Sequence, residues 1–202
     1  METTGPPVHL VAYADRLGGD LPRLRRLLDG PLSAFGGVHV LPFFTPFDGR
    51  DAGFDPVDHH AVDPRLGSWA DVATLARGRH VWADLIVNHV SAASDTFTDW
   101  LARGDASPHD GMFLTFDGVF PKGATEADLA AVVRPRPGLP FTPYAGAAGA
   151  RRMVWTTFDP TQVDLDVHHP AARRHLLGLL DRFASAGVAT VRLDAVAYAV
   201  KS

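Results

Sequence analysis

The sequence predicts an α/β fold: parallel strands covered by helices and interrupted once by an irregular inserted domain. Two observations carry this expectation. Short apolar runs alternate with helically spaced apolar residues in the order strand, helix, strand, helix, strand, and then, after a gap, helix and strand. Within the gap, from about Ser91 to Pro160, the periodicity dissolves among Pro108, Pro121, Pro135, Pro137, Pro140 and Pro143. A structureless loop of that length does not suit a compact domain, so the stretch reads as a small domain of its own. Alternating strands and helices imply right-handed crossovers onto a parallel sheet.

Val8 to Tyr13 is a short apolar run suited to a buried strand. Asp20, Leu21, Leu24, Leu27 and Leu28 follow helical spacing, with Pro22 in a first turn that tolerates it. Gly37 to Phe43 is a second strand ended by Pro42, and Phe43 to Asp63, with Pro46, Gly49, Gly53 and Pro56, reads as a long loop. Ser68 to Asp71 has capping-box form and leads into Val72, Leu75 and Ala76, a second helix; His80 to His89 is a third strand. Pro170 sits early in a helix whose apolar side carries Leu176, Leu179, Leu180 and Phe183, and Gly187 stops it before a fourth strand, Val188 to Asp194. The expected organisation is a strand–helix frame over residues 1–90 and 161–202 with an insertion over 91–160.

At roughly 100 to 200 residues per domain, 202 residues allow one large domain or one with an insertion. They fall short of the roughly 250 that a complete eight-stranded α/β barrel takes. A content of 46% hydrophobic and 21% charged residues supplies a core and excludes global disorder. The net charge of −4 gives no basic field for nucleic acid or an anionic membrane, and the 17 Arg against 2 Lys suit bidentate pairing with carboxylate or phosphate. With no Cys, disulfides, thiolate metal sites and a Cys nucleophile are excluded. The N-terminus has no positive n-region and no apolar run approaches 18 residues, so a cytoplasmic protein without membrane or nucleic-acid partners is expected.

On the fourth strand, Ala189, Val191 and Leu193 share an apolar face that should meet helices, and Thr190, Arg192 and Asp194 share the other. An Arg two residues from an Asp on one face favours the ionised carboxylate that a nucleophile requires; the same pair serves equally as a structural ion pair at a strand end. The third strand brings Asp84, Asn88 and His89 near its C-terminal end, where parallel α/β folds assemble active sites, although each is also suited to capping the strand. Asp51, Phe54, Asp55, Asp58, His59 and His60 crowd the loop after the second strand, but adjacency of the last three is poor spacing for a metal, and Asp55 before Pro56 is also a turn former. In QVDLD, Gln162, Asp164 and Asp166 alternate with apolar residues as in a half-exposed strand.

These segments together resemble the alpha-amylase superfamily, glycoside hydrolase family 13, and within it the sucrose phosphorylase group. The matching stretches are YADRLGG at Tyr13, GVHVLPFFTPFDGRDAGFDPVDHHAVD from Gly37, ADLIVNH from Ala83, MFLTF from Met112, VFPKGATEADLAAVVRPRPGLPFTPY from Val119, VWTTFDPTQVDLD from Val154 and VRLDAVAY from Val191, in family order over nearly the whole chain. The resemblance implies the first half, about four strands, of a (β/α)8 TIM barrel with an irregular B domain inserted after the third strand. It also implies a retaining glucosyl transfer from sucrose or a related α-glucoside to inorganic phosphate. Asp194 matches the nucleophile, and Arg192 the arginine that keeps it ionised. Asp51, Phe54 and His89 match positions that bind the glucosyl ring, Gln162 lies at a position near the site, and Arg136 and Tyr198 line the site and its acceptor side. Asp84 and Asn88 match structural positions. No cofactor is implied.

Three departures matter. Val133 stands where sucrose phosphorylases carry an aromatic residue, which puts fructose as the acceptor in doubt, and Ala197 and Tyr198 replace the Lys-His pair of calcium-binding amylases, so no calcium site is expected. The family's acid/base glutamate and third carboxylate belong to later strands, and the two glutamates present, Glu2 and Glu126, match neither. The resemblance thus implies an N-terminal portion of such an enzyme, with a hydrolase or transglucosidase as the alternative within the class. Outside it, the alternative is an inactive half-barrel that binds sugar or a partner, or self-associates through uncovered apolar side chains and unpaired sheet edges.

Overall fold

The computed structural model describes residues 8–146 and 149–201. Its elements run β1 (His9–Ala12), α1 (Leu21–Asp29), β2 (Gly37–Val40), β3 (Phe44–Pro46), β4 (Pro56–Val62), α2 (Trp69–Ala76), β5 (His80–Ile86) and β6 (His89–Ser91). They continue with α3 (Asp95–Arg103), α4 (Phe116–Val119), α5 (Glu126–Ala131), β7 (Phe141–Ala145), β8 (Arg151–Trp155), β9 (Gln162–Asp164), α6 (Pro170–Ser185) and β10 (Thr190–Asp194). Two compact units result: the first extends to Leu85 and takes in Leu177–Asp194, and the second comprises Ile86–Leu176 and the residues from Ala195.

In the first unit the four strands expected from sequence form one sheet, ordered β1-β2-β5-β10. β1 pairs with β2, and β2 with β5, in parallel, with His9, Gly37 and His80 in register. Alternation then sorts the side chains: Val38, Val40, Val81, Ala83 and Leu85 are buried on one face, and His39, Trp82 and Asp84 lie on the other. The helices start where local chemistry dictates. Asp20 accepts from the Arg23 N–H at 2.7 Å ahead of α1, and the Ser68 N–H and hydroxyl donate to Asp71 Oδ2 at 2.8 and 2.7 Å ahead of α2. On β10 the expected apolar face is incompletely covered, with Leu193 48% exposed, because this strand ends the sheet order.

Three expectations change. The supposed loop from Phe43 to Asp63 contains an antiparallel pair, β3 with β4; Pro56 is tolerated as the first residue of its strand, and the turn between passes through Asp51 and Ala52, both at positive φ. The third strand ends at Ile86 rather than His89, because the Leu165 N–H bonds the Asn88 carbonyl at 2.8 Å and His89–Ser91 pairs with β9 as β6. And QVDLD is no half-exposed strand: Gln162, Val163 and Asp164 are all buried.

The inserted stretch is more regular than its sequence implies. It carries the β7–β8 hairpin, and α3 begins at Ser94, whose hydroxyl accepts from Phe97. Phe97, Trp100, Met112, Phe113, Val154 and Leu165 form its core together with Ala171 and Ala172 of α6. That packing draws the first turns of α6 into the second unit. Within the same unit the fully buried Asp164 accepts from the Thr157 N–H (3.0 Å) and hydroxyl (2.5 Å), and from the Lys201 ammonium at 2.7 Å. The same ammonium donates to Asn88 Oδ1 at 3.0 Å and to the Tyr198 carbonyl.

Two predictions follow from these contacts. An added Cβ at Gly37 would stand 2.3 Å from His9 Cδ2 and 2.5 Å from the His80 carbonyl oxygen, and backbone cannot swing aside. Gly37→Ala should therefore lower the unfolding free energy by about 1–3 kcal/mol, read from urea denaturation. Lys201→Met leaves Asp164 buried without a cation and should cost about 3 kcal/mol, while Asp164→Asn combined with it should cost less than the two single changes added together.

Candidate active site

The nucleophile candidate Asp194 closes β10, and two residues earlier on the same face stands Arg192. Its Nη2 is 2.8 Å from Asp194 Oδ1, while Nη1 donates to Asp84 Oδ1 at 2.7 Å, so the guanidinium bridges two carboxylates. The Asp84 hydrogen bond, followed by the charges of Asp84 and Asp194, raises the Arg192 pKa above its already high ordinary value against the opposing effect of burial. The arginine is therefore a permanent cation beside Asp194. Its guanidinium also lies 5.8 Å from the Phe54 ring centroid.

Phe54 follows the tight turn Asp51–Gly53, and Asp51 and Ala52 have φ of 38° and 49°, a left-handed geometry that such residues adopt only at a cost. Arg65 secures this loop: it forks onto Asp63 through Nε and Nη2 and reaches Asp48 Oδ1 at 2.7 Å. Burial, and beyond it the negative field of Asp84, Asp51 and Asp15, raises the Tyr13 phenol above its usual range despite Arg16. Asp51 and Asp84 thus share a neighbourhood with Tyr13. A cavity of about 550 Å³ opens beside this turn, lined by Tyr13, Arg16, Phe47, Arg50, Gly53 and Arg65, but neither Arg192 nor Asp194 lines it.

The remaining predicted residues belong to the second unit. His89, buried at the start of β6, faces Asn88 Nδ2 through Nδ1 at 3.4 Å and packs against Phe158, ring centroids 5.6 Å apart. Phe158 in turn meets Tyr198 edge-on at 5.2 Å, which joins two predicted residues through an aromatic that sequence reading passed over. Its signal was its place in FDPTQVD, four residues before Gln162. Gln162 is buried on β9 opposite Ser91. Tyr198, Val133, Phe120 and Trp155 line a cavity of about 600 Å³. Arg136 is exposed; its neighbour Arg134 points inward instead, donating to the carbonyls of Thr157, Gly138 and Leu139 and so anchoring the loop.

Asp58, His59 and His60 alternate along β4: Asp58 accepts from the His60 N–H at 2.8 Å, and the His59 ring packs on Phe44. Among the described residues no three metal-ligating side chains converge. Glu126 is an exposed first-turn residue of α5, and Glu2 lies outside the described residues. No described helix is long and apolar enough to cross a membrane.

Comparison with known proteins now bears on this geometry. The family described as alpha amylase, catalytic domain, matches residues 34–202. The chain is 55% identical over 196 residues to a sucrose phosphorylase of Agrobacterium vitis, covering 96% of this chain and 40% of that protein. It is 35% identical to a glucosylglycerol phosphorylase of Marinobacter adhaerens, again covering 96% of this chain and 40% of the other. The crystal structure of sucrose 6F-phosphate phosphorylase from Thermoanaerobacter thermosaccharolyticum superposes with a TM-score of 0.91 at 37% identity, over 100% of this chain and 42% of that one. The chain thus spans about 40% of the length of these relatives, and its four-stranded sheet is part of the barrel of such enzymes. By the extent of the match and the fold together, it belongs to the alpha-amylase catalytic-domain family.

Proposed function

We propose that the chain is the nucleophile-bearing portion of a sucrose phosphorylase-like retaining glucosyltransferase. The Asp194 carboxylate attacks the anomeric carbon of sucrose or a related α-glucoside, and the C–O bond to the leaving sugar breaks as that oxygen takes a proton. An oxygen of inorganic phosphate then attacks the glucosyl–Asp194 ester, the carboxylate departs, and α-glucose 1-phosphate forms with the original configuration. One observation carries this: the Arg192 bridge, which keeps a cation 2.8 Å from Asp194 at the end of a sheet strand.

Asp51, Phe54 and His89 are assigned by the family resemblance to the glucosyl ring, and Gln162 to a position near the site. Arg136 and Tyr198 are assigned to the acceptor side, where a guanidinium suits phosphate. In this assignment residues 1–90 and 161–202 are the barrel half and 91–160 its topological insertion. Acceptor choice is assigned to the segment around Val133, which is 83% exposed and presents no aromatic surface to a leaving sugar. A second role, self-association, is favoured by one observation: β1 and β10 both end the sheet order, with Val11 59% exposed.

The test supplies sucrose and phosphate to the 202-residue chain and, in parallel, to a version extended through all eight strands, and measures glucose 1-phosphate. The extended protein should release it and Asp194→Ala should abolish the release. The chain alone should be slower by at least the roughly 10²–10⁴ that general acid catalysis contributes. Robust release by the chain alone, lost in Asp194→Ala, would show that a group within it supplies the acid.

A further inference from the structure

We infer that His39 is a positioning residue for the nucleophile, acting through Asp84 and Arg192. It rests on the assignment of Asp194 as nucleophile, in which His39 has had no part. Three neighbouring strands carry the chain of contacts. His39 Nε2 on β2 is 3.1 Å from Asp84 Oδ2 on β5, Asp84 Oδ1 takes Arg192 Nη1 at 2.7 Å, and Arg192 Nη2 reaches Asp194 Oδ1 at 2.8 Å.

Asp84 is fully buried and His39 is 8% exposed, so neither turns to water for a partner. A guanidinium stays protonated, and the carboxylate beside it is ionised and can only accept. The hydrogen between His39 and Asp84 therefore sits on Nε2, and His39 is the donor. The Asp84 carboxylate has a soft, roughly two-fold torsion, and the two donors define its orientation: His39 claims Oδ2, leaving Oδ1 to a single nitrogen of Arg192.

That division controls the second nitrogen. Without His39, a buried carboxylate oxygen would lose its donor, at a cost the guanidinium can cancel by forking both ends onto Asp84. A fork taken by Asp84 withdraws Nη2 from Asp194. His39 thus restricts Asp84 to one nitrogen so that the other serves the nucleophile. The imidazole is itself placed by register, opposite Trp82 with ring centroids 6.1 Å apart.

The test reads the Arg192 Nη2 resonance by ¹⁵N NMR on the 202-residue chain, without substrate, and asks how far Asp194→Asn shifts it. In the unmodified chain and in His39→Gln, whose amide N–H reaches about as far as Nε2, the shift should be similar. In His39→Leu it should fall at least about threefold, the coupling between positions 39 and 194 being the quantity measured. An undiminished shift in His39→Leu would overturn the inference, as would its loss in a natively folded His39→Gln. If His39→Leu does not fold, the unmodified chain decides: the His39 Nε2–H should give an exchange-protected imidazole resonance, and its absence overturns the inference. None of these readings depends on turnover, so failure of the phosphorylase assignment, seen in glucose 1-phosphate release, is separately visible.

Discussion

A carboxylate sealed from water in the middle of the sheet, Asp84, is the constraint on which the first unit turns. Burying an ionised group is tolerable only where donors replace its hydration. Here those donors arrive from both flanking strands, His39 on β2 and Arg192 on β10, so one side chain on β5 fixes how its two neighbours sit. Arg192 then passes the consequence to Asp194. A lysine would serve only one carboxylate well; the planar guanidinium presents separate nitrogens to two at 2.7 and 2.8 Å. Packing on one face of the sheet and charge on the other are therefore coupled: Val81, Ala83 and Leu85 hold β5 in place, and Asp84 projects from it into the polar row.

The second unit solves the same problem with a different outcome. Asp164 is just as buried, and its cation, Lys201, spends its remaining hydrogen bonds on an amide oxygen and a backbone carbonyl. Thr157 adds two donors, and the Trp155 indole N–H bonds the Thr157 hydroxyl at 3.0 Å, so the end of β8 is tied to β9. Both of those further partners are uncharged oxygens, and the role of the ammonium is cohesion. The two pairs differ in what else the cation meets: Arg192 also meets Asp194 at a strand end, whereas Lys201 meets an amide oxygen and a backbone carbonyl.

Much of this was legible in the sequence because it is local. Helix starts were written in Asp20 and in Ser68 with Asp71, the strands in their alternation, and the Arg192–Asp194 contact in a spacing of two on one strand face. The illegible parts depend on partners distant in sequence. Pro46, Gly49, Gly53 and Pro56 read as loop, yet β3 and β4 pair around them because a turn with positive φ at Asp51 and Ala52 reverses the chain. The alternation in QVDLD matched a half-exposed strand, and only pairing with β6 and the ammonium of a residue 37 positions away from Asp164 bury it. His39 lies within the second strand with no local feature that marks it, since its partner lies 45 positions on. Phe158 had no periodic signal at all; its meaning is the two rings it touches.

On the proposed assignment the chemistry is asymmetric, and electrostatics accounts for the asymmetry. A retaining transfer needs one carboxyl group ionised and another protonated, roughly 5 to 5.5 Å apart, in environments that push their affinities for a proton in opposite directions. The Arg192 guanidinium 2.8 Å from Asp194 is a fixed positive charge, and such a charge favours an ionised carboxylate. Asp84 cannot take the opposite part, since it is held by the same cation and by the His39 donor. Glu126, exposed in the first turn of α5, matches no family position for that role. On the proposed assignment, control of the charge on Asp194 is local to this sheet, whereas protonation of the leaving oxygen calls for a carboxyl group with no guanidinium against it.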